Sequence, residues 1–461
     1  MAAGPILQPV DLDPAALLAL HAAWPDRYPA LFESAAAGQP LGRFDILFAS
    51  PGARLTLHRD GSLTGPVAVA HGKFLRALDQ WLEREQAPTP PGAIPFEIPF
   101  TGGWLLYLGY ELAGEIEPRL RLHRPASAPI AQAVRIPAAV VHEHGSGRSW
   151  IVAEGSARSV IERIASDIAN VAAVDAPAGS LVVGPIEEED PRRYVRAVEK
   201  ALDYISAGDI YQANLSRRWR ARLRDGVTPQ DVYRRLRETN PGPFSGSAVL
   251  DDITVISSSP ERLVEVRGGS ISTRPIAGTH PRGASREADL TLARELHEHP
   301  KERAEHIMLI DLERNDLGRV CEAGAVHVDE FMTIESYAHV HHIVSNVRGR
   351  LRAGVTTGEV LAAVFPGGTI TGCPKVRCME IIAELENEAR GPYTGSLGYL
   401  NLDGGMDMNI LIRSIEVRGR ELSLRAGAGI VADSVSEREL AETRAKARGV
   451  LRALGAEANA P

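Results

Sequence analysis

Along residues 191–207 apolar side chains return as Val195, Val198, Leu202 and Ile205, a stripe down one face of a helix. Asp190 suits the N-cap of that helix, Pro191 its first turn, and Gly208 its stop. A second helical stretch covers 301–319 (KERAEHIMLIDLERNDLGR), with Ile307, Leu309 and Ile310 expected to face a core. A third runs from Ser434 to Leu454 and places Leu440, Ala447, Leu451 and Leu454 on one apolar face. Between these helices the pattern shortens into strand-like runs at 248–257, 263–273, 395–402, 408–417 and 421–426. Several are joined by short polar turns, which favours antiparallel pairing over a regular βαβ repeat.

Residues 1 to about 175 read differently. Short strand-like runs such as Phe44-Asp45-Ile46-Leu47-Phe48 alternate with Pro/Gly turns, and QAPTPPGAIP (86–95) is a loop by composition. A soft break follows at 174–190 (VDAPAGSLVVGPIEEED). The expected organisation is therefore a region at 1–175 and a second at 190–455, of α+β class, with the chemistry in the second. No internal repeat or low-complexity tract interrupts it.

With 44% hydrophobic and 24% charged residues in 461, the composition is that of an ordinary globular protein. A net charge of -8 argues against a general nucleic-acid or anionic-membrane surface, while leaving room for a local basic pocket. Cys321, Cys373 and Cys378 form no CxxC pair and no disulfide framework. The N-terminus lacks a basic n-region and a continuous apolar stretch, and no run nears the roughly 18 apolar residues of a membrane helix. A cytoplasmic protein is expected.

Candidate chemistry collects on the later helices. Glu439, Glu442 and Lys446 stand at i, i+3 and i+7, so they share a face. Two carboxylates so placed suit a hard divalent cation. The same residues also read as a Ser436–Glu439 capping box and a Glu442–Lys446 surface pair. Glu305 adjoins an apolar stretch and needs a partner, either a metal or an arginine. Gly-rich turns occur at 274–279, 366–372 and 426–429, where backbone N–H groups could converge on an oxyanion; none is a P-loop or a dinucleotide fingerprint. The histidines at 297, 299, 339, 341 and 342 lack zinc-ligand spacing.

Taken in order, these segments resemble component I of anthranilate synthase and aminodeoxychorismate synthase, the chorismate-using enzymes. The resemblance runs through GDIYQANLS (208–216), SSSPER (257–262), RPIAGT (274–279), AEHIMLIDLERNDLGR (304–319), HHIVSNV (341–347), GGTITGCPKVRCMEII (367–382), MDMNILIRS (406–414), AGAGIV (426–431) and ELAETRAK (439–446). LFES (31–34) and GRFDILFASP (42–51) extend it more loosely towards the N-terminus.

It implies two antiparallel sheets packed face to face with helices outside, the two regions interleaved. It also implies roles. Glu305 and Glu442, supported by Glu439, would bind Mg2+. Tyr393 and Arg413 would clamp the enolpyruvyl carboxylate of chorismate. Gly427, Ala428 and Gly429 would offer backbone N–H groups, and Lys446 a compensating charge. Thr279 would touch substrate, His342 would lie beside the ring, and Glu261 would be the acid or base assisting loss of the ring hydroxyl. Ser34 falls in what is a tryptophan-binding neighbourhood in relatives; read without them, it is a solvent-exposed turn serine. Gln212 stands where isochorismate and salicylate synthases carry a water-activating lysine. Glutamine cannot be that base, so ammonia is the implied nucleophile. No glutaminase nucleophile is evident in the chain, so a glutamine amidotransferase subunit or free ammonium would supply it.

The product is decided by conflicting signals. YQANLS, SPER, PGGTITG, GSLGYL and GRFDILFASP resemble the aminodeoxychorismate branch. Ala277 resembles the anthranilate branch, because the other branch carries there a lysine proposed to attack the ring covalently. On the larger number of segments the expected reaction is amination at ring position 4, giving 4-amino-4-deoxychorismate on the folate route. The alternatives are anthranilate formation with loss of pyruvate, and a chorismate-binding regulatory protein without catalysis.

Overall fold

The computed structural model describes residues 4–34, 42–67, 73–86, 98–172, 177–283, 285–337 and 340–455. Two antiparallel sheets, of 12 and 11 strands, dominate it. Both draw on early and late sequence. In the larger sheet the early strand Ala30–Glu33 pairs with the late strand Phe244–Val249, and in the smaller sheet Gly103–Leu108 pairs with Ser396–Asn401. The sheets share a core in which Phe48 of one lies 5.0 Å from Phe100 and 6.3 Å from Tyr399 on the other side. Such aromatic edge contacts add to the burial that drives the packing.

Helices cover the outer faces. Ala15–Ala23, Arg158–Asn170, Pro229–Thr239 and Ser436–Ala453 close one apolar layer, while Phe74–Glu85 and Thr357–Val364 close another. Among the described residues no helix is long and apolar enough to cross a membrane.

Local details refine the pattern read from sequence. The helix Pro191–Ser206 starts as expected: Asp190 accepts the N–H of Arg192 at 3.0 Å, and Gly208 takes the left-handed φ of +81°. The run 248–257 is two strands, Phe244–Val249 and Thr254–Ser259, because Asp251 and Asp252 turn the chain. Likewise 408–417 divides into Met406–Asn409 and Ser414–Arg418, split where Arg413 adopts a φ of +51°. Residues within the soft break form strand Val182–Glu188, an edge strand on Gln212–Leu223. The C-terminal helix Ser436–Ala453 has Val435 at its N-cap with no side-chain cap, so the expected Ser436–Glu439 capping box is not formed. Ile307 is 52% exposed rather than buried; Leu309 and Ile310 carry the packing of helix Pro300–Gly318.

Candidate active site

The floor of the candidate site is a pair of adjacent strands. Gln212–Leu223 runs antiparallel to Glu421–Ile430, with Asn214 opposite Gly429 and Ser216 opposite Gly427. A Cβ on Gly427 would lie 2.7 Å from the Tyr393 hydroxyl and 2.8 Å from Asn214 Oδ1; one on Gly429 would lie 2.4 Å from Gln212 Nε2. Glycine is required here by close approach. Strand alternation turns Ala428 the other way, into an apolar cluster with Tyr194 and Val198, so only its backbone is available to a ligand.

Two helices bring acids over this floor. Glu305 on Pro300–Gly318 accepts a long 3.4 Å hydrogen bond from Gln212 Nε2. Burial raises its pKa, and Glu302 and Glu442 raise it further, with Lys446 opposing. Glu439 is raised as well, first by burial and then by Glu442, against hydrogen bonding from Ser434. Glu442 pairs with Lys446 at 2.7 Å, and Lys446 Nζ also donates to the Gly427 carbonyl at 3.2 Å. Thus Glu305, Glu439, Glu442 and Lys446 do converge from separate elements. Among the described residues no three His, Cys, Asp or Glu groups form a closed metal cage. Mutually repelling carboxylates, with their oxygen donors, nonetheless fit magnesium, which commonly takes only one or two protein ligands.

Glu261 follows the strand Thr254–Ser259 and is 5% exposed. Burial lifts its pKa to about 7, against the Thr369 hydroxyl, the Ile276 N–H and the charges of Lys446 and Arg413, and its buried Oε1 has no hydrogen-bond partner. Arg413 is held in its left-handed turn by Ser258, whose N–H donates to the Arg413 carbonyl at 3.2 Å. Burial pushes its guanidinium pKa down, and among the described residues no carboxylate pairs with it. A half-buried cation of this shape, without a carboxylate partner among the described residues, is a receptor for a planar anion.

The strands Ile276–Pro281 and Val340–Arg350 supply another wall. Their register slips between Ala277 and Thr279, where Gly278 bulges at a φ of +72°. His342 is 2% exposed, its Nδ1 lies 3.4 Å from the Gly278 carbonyl, and its ring stands 5.7 Å from Tyr337. Burial, then Arg413, lowers its pKa to about 3, so the imidazole is neutral. Ala277 is buried and pairs with Ile343. The backbone of Thr279 pairs with His342, but its side chain lies outside the described residues. His341 is a satisfied core histidine, bonded to Ser336 and to Asp289 at 2.9 Å. His339 lies outside the described residues.

A buried network that sequence reading misses holds this site in shape. Arg390 lies over the rings of Tyr110 (4.9 Å) and Tyr393 (5.6 Å), donates to the Asn214 carbonyl at 2.6 Å, and pairs with Glu386 at 2.6 Å. Arg425 adds a second pair to Glu386 at 3.1 Å. Burial opposes ionisation of Glu386, but the two arginines outweigh it and hold its pKa below the usual value. The i, i+4 spacing of Glu386 and Arg390 was the available signal; their complete burial was not readable from it.

Ser34 does not join this site. It is 4% exposed, not the solvent-facing turn residue of the simpler reading, and its N–H donates to Asp45 Oδ1 at 3.0 Å. It lines a cavity of about 320 Å³ between the sheets, together with Phe32, Pro243, Phe244, Tyr399 and Asn409.

Comparison with known proteins agrees with this layout. A family model for chorismate binding enzyme matches residues 28–452. Anthranilate synthase component 1 of Aquifex aeolicus (strain VF5) is 38% identical over 442 residues, covering 92% of this chain and 88% of that protein. Aminodeoxychorismate synthase component 1 of Bacillus subtilis (strain 168) is 39% identical over 432 residues, covering 90% and 89%. Among solved structures, anthranilate synthase component I from Streptococcus pneumoniae TIGR4 matches with a TM-score of 0.78 at 32% identity, over 90% of this chain and 93% of that one.

Proposed function

The chain belongs to the family of chorismate-binding enzymes, and on that premise we propose that it aminates chorismate with ammonia to give 4-amino-4-deoxychorismate and water. The observation that carries the amination is Gln212, a carboxamide with no basicity, lying against Gly429 and reaching Glu305. It cannot activate water, so a nucleophile that needs no base fits better.

Arg413 and Tyr393 take the enolpyruvyl carboxylate, the guanidinium fork matching its plane. Glu261 keeps its proton up to about pH 7 and delivers it to the departing ring hydroxyl, which leaves as water. His342 stays neutral and packs beside the ring, adding no charge to the leaving-group side. Lys446 places positive charge beside Gly427. Glu305 and Glu442, with Glu439 behind them, would hold a magnesium ion, which when bound supplies Lewis acidity at the ring carboxylate. A separate glutamine amidotransferase subunit delivers the ammonia. The cavity at Ser34 is assigned to tryptophan, whose indole suits its aromatic lining.

Ala277 favours a second reading, anthranilate formation, because its methyl group cannot attack the ring. The deciding test is product chromatography with mass detection, using purified protein, chorismate, magnesium and ammonium, with and without added aminodeoxychorismate lyase. Lyase-dependent 4-aminobenzoate is the expected result. Anthranilate formed without lyase would assign the protein to the other branch.

A further inference from the structure

Strand Gln212–Leu223 sends Gln212, Asn214 and Ser216 to one face. Ser216 is fully engaged: its N–H and hydroxyl bond to Glu386 at 2.8 and 2.9 Å, and Arg425 donates to the hydroxyl at 3.0 Å. The two carboxamides are not engaged in this way. Gln212 is 3% exposed and Asn214 8%, and the buried oxygens Gln212 Oε1 and Asn214 Oδ1 have no hydrogen-bond partner. The Gln212 amide is oriented by its own donation to Glu305, which leaves Oε1 as the open acceptor. Asn214 makes no side-chain hydrogen bond to any described residue. Both amides press on positions that glycine keeps clear, Gly429 and Gly427.

Buried carbonyl oxygens without partners are costly, and such an arrangement persists where a ligand supplies the missing donors. Under the proposed function the site takes chorismate, whose two carboxylates and ether oxygen only accept, leaving its ring hydroxyl as the one donor. That hydroxyl is the group assigned to Glu261. Ammonia carries three N–H donors and one lone pair. We propose that Gln212 and Asn214 together form the seat for ammonia, their carbonyl oxygens accepting two of its N–H bonds and leaving the lone pair free for the ring. This rests on the amination reading and adds Asn214 to it as a contact residue.

The test is steady-state kinetics of the whole protein with ammonium chloride as nitrogen source, varying ammonium at saturating chorismate and the reverse. Asn214→Leu, similar in size and without polar atoms, should raise KM for ammonium about tenfold while KM for chorismate moves less than twofold. Asn214→Asp retains an acceptor oxygen and should recover most of that loss, which a purely structural role would not produce. Melting temperatures of both variants show whether they fold; should Asn214→Leu fail to fold, Gln212→Leu is read by the same split. A rise in KM for chorismate with ammonium unaffected would overturn the seat and place Asn214 on the substrate. Unchanged constants in both variants would overturn it too. If wild-type protein turns over chorismate without any need for ammonium, the amination reading itself fails, which is a separate result.

Discussion

The site around Glu261 and the cavity around Ser34 are both lined by charge and each holds a buried glutamate, yet their hydrogen bonding differs. In the first, Glu261 Oε1, Gln212 Oε1 and Asn214 Oδ1 have no partner and Arg413 has no counter-ion among the described residues. In the second, most lining charges are already paired: Arg262 grips Asp407 at 2.8 and 2.9 Å, Arg43 bonds Glu143 at 3.0 Å, and Glu33 pairs with Arg237 at 3.0 Å. Unpaired polar groups need a reacting, charged guest, whereas a largely satisfied shell with aromatic walls suits a ligand bound by shape. Glu261 and Glu33 make the contrast sharp, since both have pKa values lifted to about 7 by burial. Glu261 shares its site with Gln212, Asn214 and Arg413, whose side chains keep open hydrogen-bonding capacity, whereas Glu33 is bonded by Tyr233 and Arg237.

The largest expected effect is at Glu261. Glu261→Gln keeps the size of the side chain and removes the transferable proton, so kcat should fall roughly 10²- to 10⁴-fold with the melting temperature little changed. Wild-type kcat should decline as pH rises through about 7, the limb on which an acid of that pKa loses its proton, and the variant should lack this limb. Retained activity would remove Glu261 from the chemistry. Next comes Gly427→Ala, whose methyl would meet the Leu215 carbonyl at 2.6 Å as well as the Tyr393 hydroxyl. Overpacking costs about 1–3 kcal/mol, and KM for chorismate should rise at least tenfold as Tyr393 is displaced. Smaller again is Glu442→Ala: magnesium titration of turnover should show a half-saturating concentration raised about tenfold, an order of magnitude typical of altered metal sites. Unaltered metal dependence would take Glu442 out of the proposed ligand set.

How much of this was legible beforehand follows from the range of the forces involved. The helix Pro191–Ser206 was readable because its cap, stripe and stop are local. Glu305, Glu442 and Lys446 could be picked out as motif residues, but their convergence with Gln212 depends on strand pairing more than two hundred residues apart in sequence. The division of 408–417 was hidden because an arginine, not a glycine, occupies the left-handed turn at position 413. The Arg390–Glu386–Arg425 network was invisible for another reason. Charged residues are normally read as solvated, and only the fold reveals that these satisfy one another in the interior.

The smallest expected effect tests the paired side of the comparison. Glu33 is buried, and burial first, with Asp45 adding to it, lifts its carboxyl from the ordinary 4.5 to about 7, while Arg237 and the Tyr233 hydroxyl work against the shift. The folded protein therefore binds a proton at Glu33 that the unfolded chain has released, and stability falls as pH rises from about 4.5 to about 7. Glu33→Gln keeps a hydrogen-bonding group against Tyr233 and removes this titration. Relative to wild type, the variant should gain on the order of 1–3 kcal/mol between pH 5 and pH 8, followed by urea unfolding at each pH. Its kcat at saturating substrates should stay within about twofold, because no unpaired group of the chorismate site is touched. A large loss of kcat with stability unchanged would mean that the cavity and the site act as one unit, and that their different hydrogen bonding is not a division of labour.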